Sequence, residues 1–323
     1  MPVISSGKNN VEVGTPPTEQ KRKKNGEKQF SFLSDEPVWH LEDLVLSSET
    51  KERLTDAITF CVKKATIVDS WGLKSFLKGS SGCTGINMYG KPGTGKTIGA
   101  EAIASATGKR IIKVDYSEIQ SEKWGGTEKQ LTELFETALS TGSIIFFDEA
   151  DGLLGKRKSD GANAETNNQI KSHLLTLLDR YDVIVVFATN LFENYDRAFF
   201  RRILFHISFP LPNEEQLTDL WKLHLGDEPN EKRSAVVPRS KDFSFEKLAK
   251  DSVGLSGGDV KNLTLQACIH LVAKNTPTLT NEMLRALITT YRQSLQDMDN
   301  RRDAKSEVLT GKEKEQADKL LNK

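Results

Sequence analysis

The sequence predicts an α/β protein in which a parallel five-stranded sheet is flanked by helices and is followed by a small all-α domain. Two observations carry this prediction. Short apolar runs alternate with amphipathic helical stretches between residues 47 and 209, which is typical of a parallel sheet with helices on both faces. Beyond Asn213 the strand pattern ends, and helical periodicity continues over about 213–225, 243–252, 256–273 and 279–295.

The elements of the α/β part are predicted from apolar spacing and from a glycine that ends a helix. One helix covers Ser47 to Ile67, and the next covers Thr97 to Thr107 and ends at Gly108. Another covers Thr127 to Ser140, and a further helix has Ile170, Leu174, Leu177 and Leu178 on one face. Buried strands are predicted over Ile86 to Tyr89, Ile111 to Val114, Ser143 to Phe147, Val183 to Ala188 and Phe205 to Phe209.

Composition divides the chain into two tails and two predicted domains. Residues 1–30 are polar with almost no aromatic side chains, and residues 297–323 are highly charged, so both are expected to lie outside the core. The α/β domain, with a linker before it, is expected at 31–211 and the helical domain at 212–296. The basic run at 21–24 is read as solvated tail charge, with a localisation or anion-binding patch as the less common alternative.

Overall charge and cysteine content narrow the class of protein. Lys plus Arg and Asp plus Glu each number 45, which argues against a dedicated nucleic-acid binder. No apolar run approaches 18 residues, so no membrane partner is expected. Cys61, Cys83 and Cys268 are scattered and not at metal-binding spacing, which favours free thiols in a reducing, cytoplasmic compartment.

A glycine-rich loop between the first predicted strand and the following helix matches a complete phosphate-binding pattern. Its glycines allow backbone N–H groups to converge on phosphates, and the helix N-terminus adds a positive dipole end. Lys96 is expected to bridge the β- and γ-phosphates of ATP, and the Thr97 hydroxyl to bind Mg²⁺. The predicted nucleotide-binding residues of this loop are Gly90, Pro92, Gly93, Thr94, Gly95, Lys96 and Thr97.

Polar residues follow two further buried strands. Asp148 and Glu149 come directly after an apolar strand, at the edge of a parallel sheet where ligands bind. Asp148 is expected to bind Mg²⁺ through water, and Glu149 to orient or deprotonate the water that attacks the γ-phosphate. Asn190 follows the next strand and could position that water, with a turn-capping asparagine as the alternative.

Adjacent arginines at 201 and 202 allow two interpretations. They could be a solvated helix end. They could instead reach the γ-phosphate that a neighbouring protomer binds, where they would stabilise the negative charge of the transition state, which requires an oligomer. Arg202 is the first candidate for this role and Arg201 the second.

With these four motifs in order, residues 36–295 resemble the narrow-sense AAA family of AAA+ ATPases. The resemblance assigns Walker A to 90–97, Walker B to 144–149, sensor 1 to Asn190 and the arginine-finger region to 196–202. Residues 254–263 resemble the family's lid segment beside the nucleotide base, without a clear sensor arginine. The resemblance implies an ATPase that uses ATP and Mg²⁺ and assembles as a homo-hexamer around a central pore.

The segment Lys123-Trp124-Gly125 resembles the family's pore loop, in which an aromatic side chain grips a translocating polypeptide. The segment is one residue shorter than the usual pattern, and an ungapped alignment places Lys123 at the aromatic position. The alternative is a tryptophan packed in the core. Residues 156–165 fall where a second pore loop would lie.

The resemblance favours a ring that remodels or unfolds a protein, directly or through an adaptor. Within this class, the chain is similar to stand-alone modules of the pachytene-checkpoint type, which open HORMA-domain partners, and to CbbX-type activases. A nucleic-acid-dependent loader or translocase is the alternative, and neutral charge and an aromatic pore loop count against it. A nucleotide switch or scaffold without hydrolysis is a third reading, against which the intact Glu149 and Asn190 count.

Overall fold

The computed structural model describes residues 32–73, 82–115, 126–156, 164–190, 195–228, 236–298 and 300 of the chain. The strands are β1 (Thr84–Tyr89), β2 (Ile111–Asp115), β3 (Ile144–Asp148), β4 (Ile184–Thr189) and β5 (Ile203–Ser208). They form one parallel sheet in the order β2-β3-β4-β1-β5. The structure thus confirms the predicted fold class, a parallel five-stranded sheet with flanking helices and further helices after it.

Helices precede, separate and follow the strands. A 3₁₀ turn at Leu41–Asp43 comes before the first helix, and a π-helical turn at Thr66–Ser70 follows it. None of the helices in the described part of the chain is long and apolar enough to cross a membrane. The helices are α1 (Ser48–Ala65), α2 (Lys96–Ala106), α3 (Gly126–Thr141), α4 (Asp151–Leu154), α5 (Ala164–Arg180), α6 (Arg197–Phe200), α7 (Glu214–Leu225), α8 (Phe245–Asp251), α9 (Gly257–Ala273) and α10 (281–298).

The two faces of the sheet bury separate apolar clusters because successive strand side chains point to opposite sides. On one face Ile86, Met88 and Phe146 pack with side chains of α1 and α2. On the other face Phe147 and Phe187, whose rings stack with centroids 5.3 Å apart, pack with side chains of α3 and α5. Burial on both faces explains why the strands are continuous apolar runs in the sequence.

β5 begins two residues earlier than the sequence predicts. The prediction placed its start at Phe205, whereas the strand runs over Ile203–Ser208. Ile203 pairs with Gly85, and the register then shifts so that Ile86 pairs with Phe205. The additional residue at this irregularity is Leu204, which is exposed. The early start of the strand and its irregularity therefore come from pairing with β1, which the apolar pattern does not show.

The helices after the sheet share a third apolar cluster. At its centre Trp221 of α7 is fully buried, and its indole N–H donates to the hydroxyl of Ser252 over 2.9 Å. Leu248, Val260 and Leu284 join the cluster from α8, α9 and α10. Because their apolar faces pack on one another, these helices have a core apart from the sheet.

Candidate active site

The phosphate loop connects β1 to α2 and depends on glycine. Gly90 has a φ of 151°, and a Cβ atom there would lie 2.1 Å from the carbonyl oxygen of Phe209. Gly93 has a φ of 76°, and a Cβ atom there would lie 2.4 Å from the hydroxyl oxygen of Ser256. Side chains at either position would therefore collide with neighbours in a backbone conformation that L-residues rarely adopt.

Lys96 lies in the first turn of α2, and its side chain turns back into the loop. Its ammonium donates to the carbonyls of Gly90 at 2.7 Å and Lys91 at 3.0 Å. A third bond, of 2.9 Å, runs to the side-chain oxygen of Asn190 at the end of β4. Burial lowers the pKa of Lys96, while the nearby carboxylates of Asp148 and Asp151 oppose that shift. The structure thus brings two of the predicted site residues, Lys96 and Asn190, into direct contact.

The acidic residues after β3 lie beside the first turn of α2. The hydroxyl of Thr97 donates to Asp148 over 3.1 Å, and the backbone N–H of Glu149 donates to the other Asp148 oxygen over 2.9 Å. Glu149 has a φ of 49°, a conformation that is uncommon for a non-glycine residue and is found disproportionately at active sites. A cavity of about 350 Å³ opens here and is lined by Thr97, Asp148 and Glu149 among others.

Asp151 joins the ends of β3 and β4, and sequence reasoning gave it no role. Its two carboxylate oxygens accept the backbone N–H of Asn190 at 3.0 and 3.2 Å. The backbone of Ala150 donates to Ala188 over 2.8 Å in the same place. Asp151 therefore fixes the backbone position from which Asn190 reaches Lys96. Its sequence cue was an acidic residue three positions after Asp148, at the start of a helix.

The two predicted arginines differ in their surroundings. Arg202 makes a forked ion pair with Asp179 of α5, with nitrogen–oxygen distances of 2.9 to 3.0 Å. The exposed side chain of Arg201 makes no hydrogen bond or ion pair with any residue that the structure describes. Neither arginine contacts the phosphate loop of its own chain among the described residues.

The N-terminus of α9 touches the phosphate loop. The backbone N–H of Gly258 donates to the carbonyl of Gly93 over 2.9 Å. Ser256 caps the helix, and the carboxylate of Asp259 accepts from the Ser256 backbone over 2.8 Å, which completes a capping box. Asp259 also accepts a short bond of 2.5 Å from the hydroxyl of Tyr291 on α10. This contact places the predicted lid segment against the loop, with Asp259 as a cap.

The predicted pore residues Lys123, Trp124 and Gly125 lie outside the described residues, as does most of the stretch at 156–165. The cysteines carry no chemistry at this site. Burial raises the pKa of the Cys61 thiol to about 11 and that of Cys83 to about 12, so both are protonated and unreactive at neutral pH.

The donor set at the end of β3 fits Mg²⁺. A hydroxyl and a carboxylate, from Thr97 and Asp148, lie within hydrogen-bond distance of each other. The described residues hold no cluster of three or more His, Cys, Asp or Glu side chains that could bind a metal. Mg²⁺ suits such a site because it is commonly bound by one or two protein oxygens together with substrate phosphates and water.

Comparison with known proteins agrees with this geometry. Residues 86–211 match the model of the family described as "ATPase family associated with various cellular activities (AAA)". The chain is 30% identical over 255 residues to the Cell division cycle protein 48 homolog of Archaeoglobus fulgidus, covering 71% of this chain and 33% of that protein. It is 30% identical over 269 residues to a katanin p60 ATPase-containing protein of Sorex araneus, covering 79% and 51%. It is 33% identical over 191 residues to the 26S proteasome subunit RPT4 of Saccharomyces cerevisiae, covering 57% and 42%.

The chain spans between a third and about half the length of these curated relatives. The matched region begins in β1 and ends just after β5, so it contains the phosphate loop, the acidic end of β3, Asn190 and both arginines. The fold, the loop and the acidic strand end lead to the same result as the family match. The chain belongs to the AAA family of ATPases.

Proposed function

We propose that the chain hydrolyses ATP with Mg²⁺ at this edge of the sheet, as one subunit of a ring, and uses the cycle to remodel or unfold another protein. The observation that carries the proposal is the convergence of Lys96, Thr97, Asp148, Glu149 and Asn190 from three different loops. Such a set would be unnecessary in a protein that only bound nucleotide.

The phosphate loop and Lys96 bind the phosphates in this proposal. Backbone N–H groups and the N-terminus of α2 favour an anion at this place. Lys96 supplies a positive charge, and its three N–H donors are engaged by Gly90, Lys91 and Asn190, so phosphate binding would exchange at least one of these bonds for a bond to a phosphate oxygen. Thr97 and Asp148 would hold Mg²⁺, which would supply positive charge next to the phosphate oxygens.

Glu149 is the group that acts on the attacking water. Its positive φ directs the chain away from the strand at the point where the cavity opens. A carboxylate there can orient the water or accept its proton. A second group that can orient the same water is the neutral amide of Asn190, whose backbone is held by Asp151 and whose side chain is bonded to Lys96.

We propose Arg201 as the finger that completes a neighbouring subunit's site, with Arg202 beside it. The Arg202 guanidinium makes a bidentate ion pair with Asp179 of its own chain. Arg201 makes no such pair with any of the described residues. An added positive charge near the γ-phosphate stabilises the transition state most where water is excluded. Hydrolysis on this scheme needs at least two subunits.

A protein substrate is proposed from the relatives and from the sequence. The relatives include a cell division cycle protein and a proteasome subunit. Lys123, Trp124 and Gly125 are proposed to line the pore that such a substrate enters. A HORMA-domain protein, or a substrate brought by another adaptor, is the finer form of the proposal.

Replacing Glu149 by Gln tests the proposal. The variant should bind ATP as the wild type does and lose turnover by about a hundredfold or more, because the general base is gone and the phosphate contacts remain. It should then persist as an ATP-bound ring, to be sized by native mass spectrometry. Glu52→Gln, an exposed position on α1, is the matched control and should keep wild-type turnover.

The captured partner decides the substrate class. The trapped Glu149→Gln ring, isolated from cells, should hold a protein, and the further change Trp124→Ala should remove that protein while the ring remains. A ring that carries nucleic acid instead would favour a loader or translocase. Unchanged turnover in Glu149→Gln would exclude the role given to Glu149.

A further inference from the structure

A lysine lies in the same cavity as the catalytic carboxylates. Lys113 of β2 lines the cavity together with Thr97, Asp115, Asp148 and Glu149. Asp115 pairs with Asp148 across the two parallel strands. Three acidic residues and one lysine therefore line the cavity, and the lysine ammonium ends a flexible four-carbon side chain that can reach in several directions.

The Lys113 ammonium is bound by a buried acid on α2. Its nitrogen lies 2.7 Å from a carboxylate oxygen of Glu101, whose side chain is only 6% exposed. The other oxygen of Glu101 accepts the backbone N–H of Val38 at 2.9 Å and of Trp39 at 3.3 Å. Glu101 thus joins the segment before α1, the helix that carries Lys96 and Thr97, and the strand that borders the cavity.

These partners keep Glu101 ionised in a buried position. Burial by itself would raise the pKa of the carboxyl group. The hydrogen bond from Lys113 and those from the two backbone N–H groups outweigh burial, and the pKa lies below its usual value. A permanent negative charge is therefore fixed beside Lys113, where it matches the charge of the ammonium.

We propose that Glu101 is a positioning residue of the magnesium site, which holds the Lys113 ammonium away from Asp148 and so keeps that carboxylate available to the cation. This inference rests on the magnesium site of the proposed function. An ammonium and a divalent cation compete for the same carboxylate oxygens, because each is attracted by the same negative charge. Lys113 and Asp148 line the same cavity, so an ammonium released from Glu101 has a cavity carboxylate as an alternative partner.

The test measures cation binding directly. Mn²⁺ replaces Mg²⁺ in the presence of ADP, and free Mn²⁺ is determined by electron paramagnetic resonance with the full chain. Glu101→Gln should weaken Mn²⁺ binding about three- to fivefold, the upper part of the range for one partly exposed charge pair. Lys113→Met should bind Mn²⁺ as the wild type does, and the double variant Glu101→Gln, Lys113→Met should return to within about twofold of the wild type.

The double variant separates positioning from a structural role. If Glu101 only stabilised the fold, Mn²⁺ affinity would follow the melting temperature from one variant to the next, whereas positioning restores affinity in the double variant whether or not its melting temperature recovers. Lys109, whose ammonium bonds to the carbonyl of Gly142, is the matched control, and Glu101→Gln with Lys109→Met should stay as weak as Glu101→Gln alone. Wild-type affinity in Glu101→Gln, or no recovery in the double variant, overturns the proposal.

Two further measurements keep the test decisive. Thermal unfolding is followed for each variant, and if Glu101→Gln does not fold, Glu101→Asp takes its place because its shorter side chain withdraws the carboxylate from Lys113. Because the binding of ADP and Mn²⁺ does not require hydrolysis, this test is independent of ATP turnover. A wild type that binds Mn²⁺ but does not turn over ATP would refute the proposed function alone, whereas failed recovery in a chain that hydrolyses ATP would refute only the role of Glu101.

Discussion

At the scale of single residues, the fold gives two neighbouring arginines different surroundings. Arg202 is bonded to Asp179 through two nitrogens, and both side chains are about a third exposed. Arg201 extends into solvent from the end of α6. The sequence analysis placed Arg202 first, and the reason to prefer Arg201 is the ion pair of Arg202 with an aspartate 23 positions earlier in the chain.

Arg201→Ala should lower turnover about a thousandfold or more, since an arginine finger acts on the transition state of phosphoryl transfer. Nucleotide affinity of the isolated subunit should stay the same. Arg202→Ala should cost about 0.2–1 kcal/mol of unfolding free energy, as for an exposed pair, and should lower turnover less than tenfold. Steady-state ATPase rates and thermal melts distinguish these outcomes.

Arg197 provides the control for this comparison. It is exposed at the start of the same short helix, so Arg197→Ala removes an equal charge and should leave turnover unchanged. A larger loss for Arg202→Ala than for Arg201→Ala would reverse the assignment of the finger.

At the scale of elements, α9 is joined to the phosphate loop by its first turn. Gly258 donates to Gly93, and the Ser256 side chain lies over the same glycine. The capping box of Ser256 and Asp259 fixes this turn, and Tyr291 connects it to α10. Movement of the C-terminal helices therefore reaches the phosphate loop through one helix end.

Ser256→Ala removes the cap of α9 and should cost about 1 kcal/mol of unfolding free energy. It should also raise KM for ATP several-fold with a smaller change in kcat, because the turn that contacts Gly93 loses its order. Ser244→Ala removes an equivalent cap from α8, where Ser244 accepts the N–H of Lys247 over 3.1 Å. The control should lose similar stability with KM unchanged, and equal KM values in both variants would refute the coupling.

At the scale of the whole molecule, the proposed site is completed only between subunits. Lys96→Ala should be inactive because phosphate binding is lost. Arg201→Ala should be inactive because the site of the neighbouring subunit lacks its arginine finger. Mixed in equal amounts, the two variants should recover about a quarter of the wild-type rate, since one in four ordered neighbour pairs in a ring combines an intact loop with an intact arginine. Activity of the mixture is measured after subunits have exchanged.

Recovery on mixing requires that the two residues come from different chains. A mixture that stays inactive, although native mass spectrometry shows mixed rings, would contradict a shared site. Activity in Arg201→Ala alone would contradict it as well.

The strands of the sheet and the phosphate-binding loop can be predicted from the sequence alone. Continuous apolar runs such as 144–147 are read directly, because strands buried on both faces need apolar side chains at every position. The phosphate loop is equally local, since Gly90 and Gly93 are required by backbone geometry and Lys96 by its distance along the chain. These features depend on neighbours in sequence, which one chain is enough to show.

The hydrogen-bond and ion-pair partners of the buried charges follow from the tertiary structure. Glu101 lies 12 positions from Lys113 and more than 60 from Val38 and Trp39, yet it binds all three. Asp151 lies 39 positions before Asn190 and still fixes its backbone. Such pairs form where the fold brings distant elements together, and the local pattern does not show which residue each charge will bind. The physical reason is that periodicity reports which face of an element is buried, whereas the partner of a buried charge depends on how the elements pack.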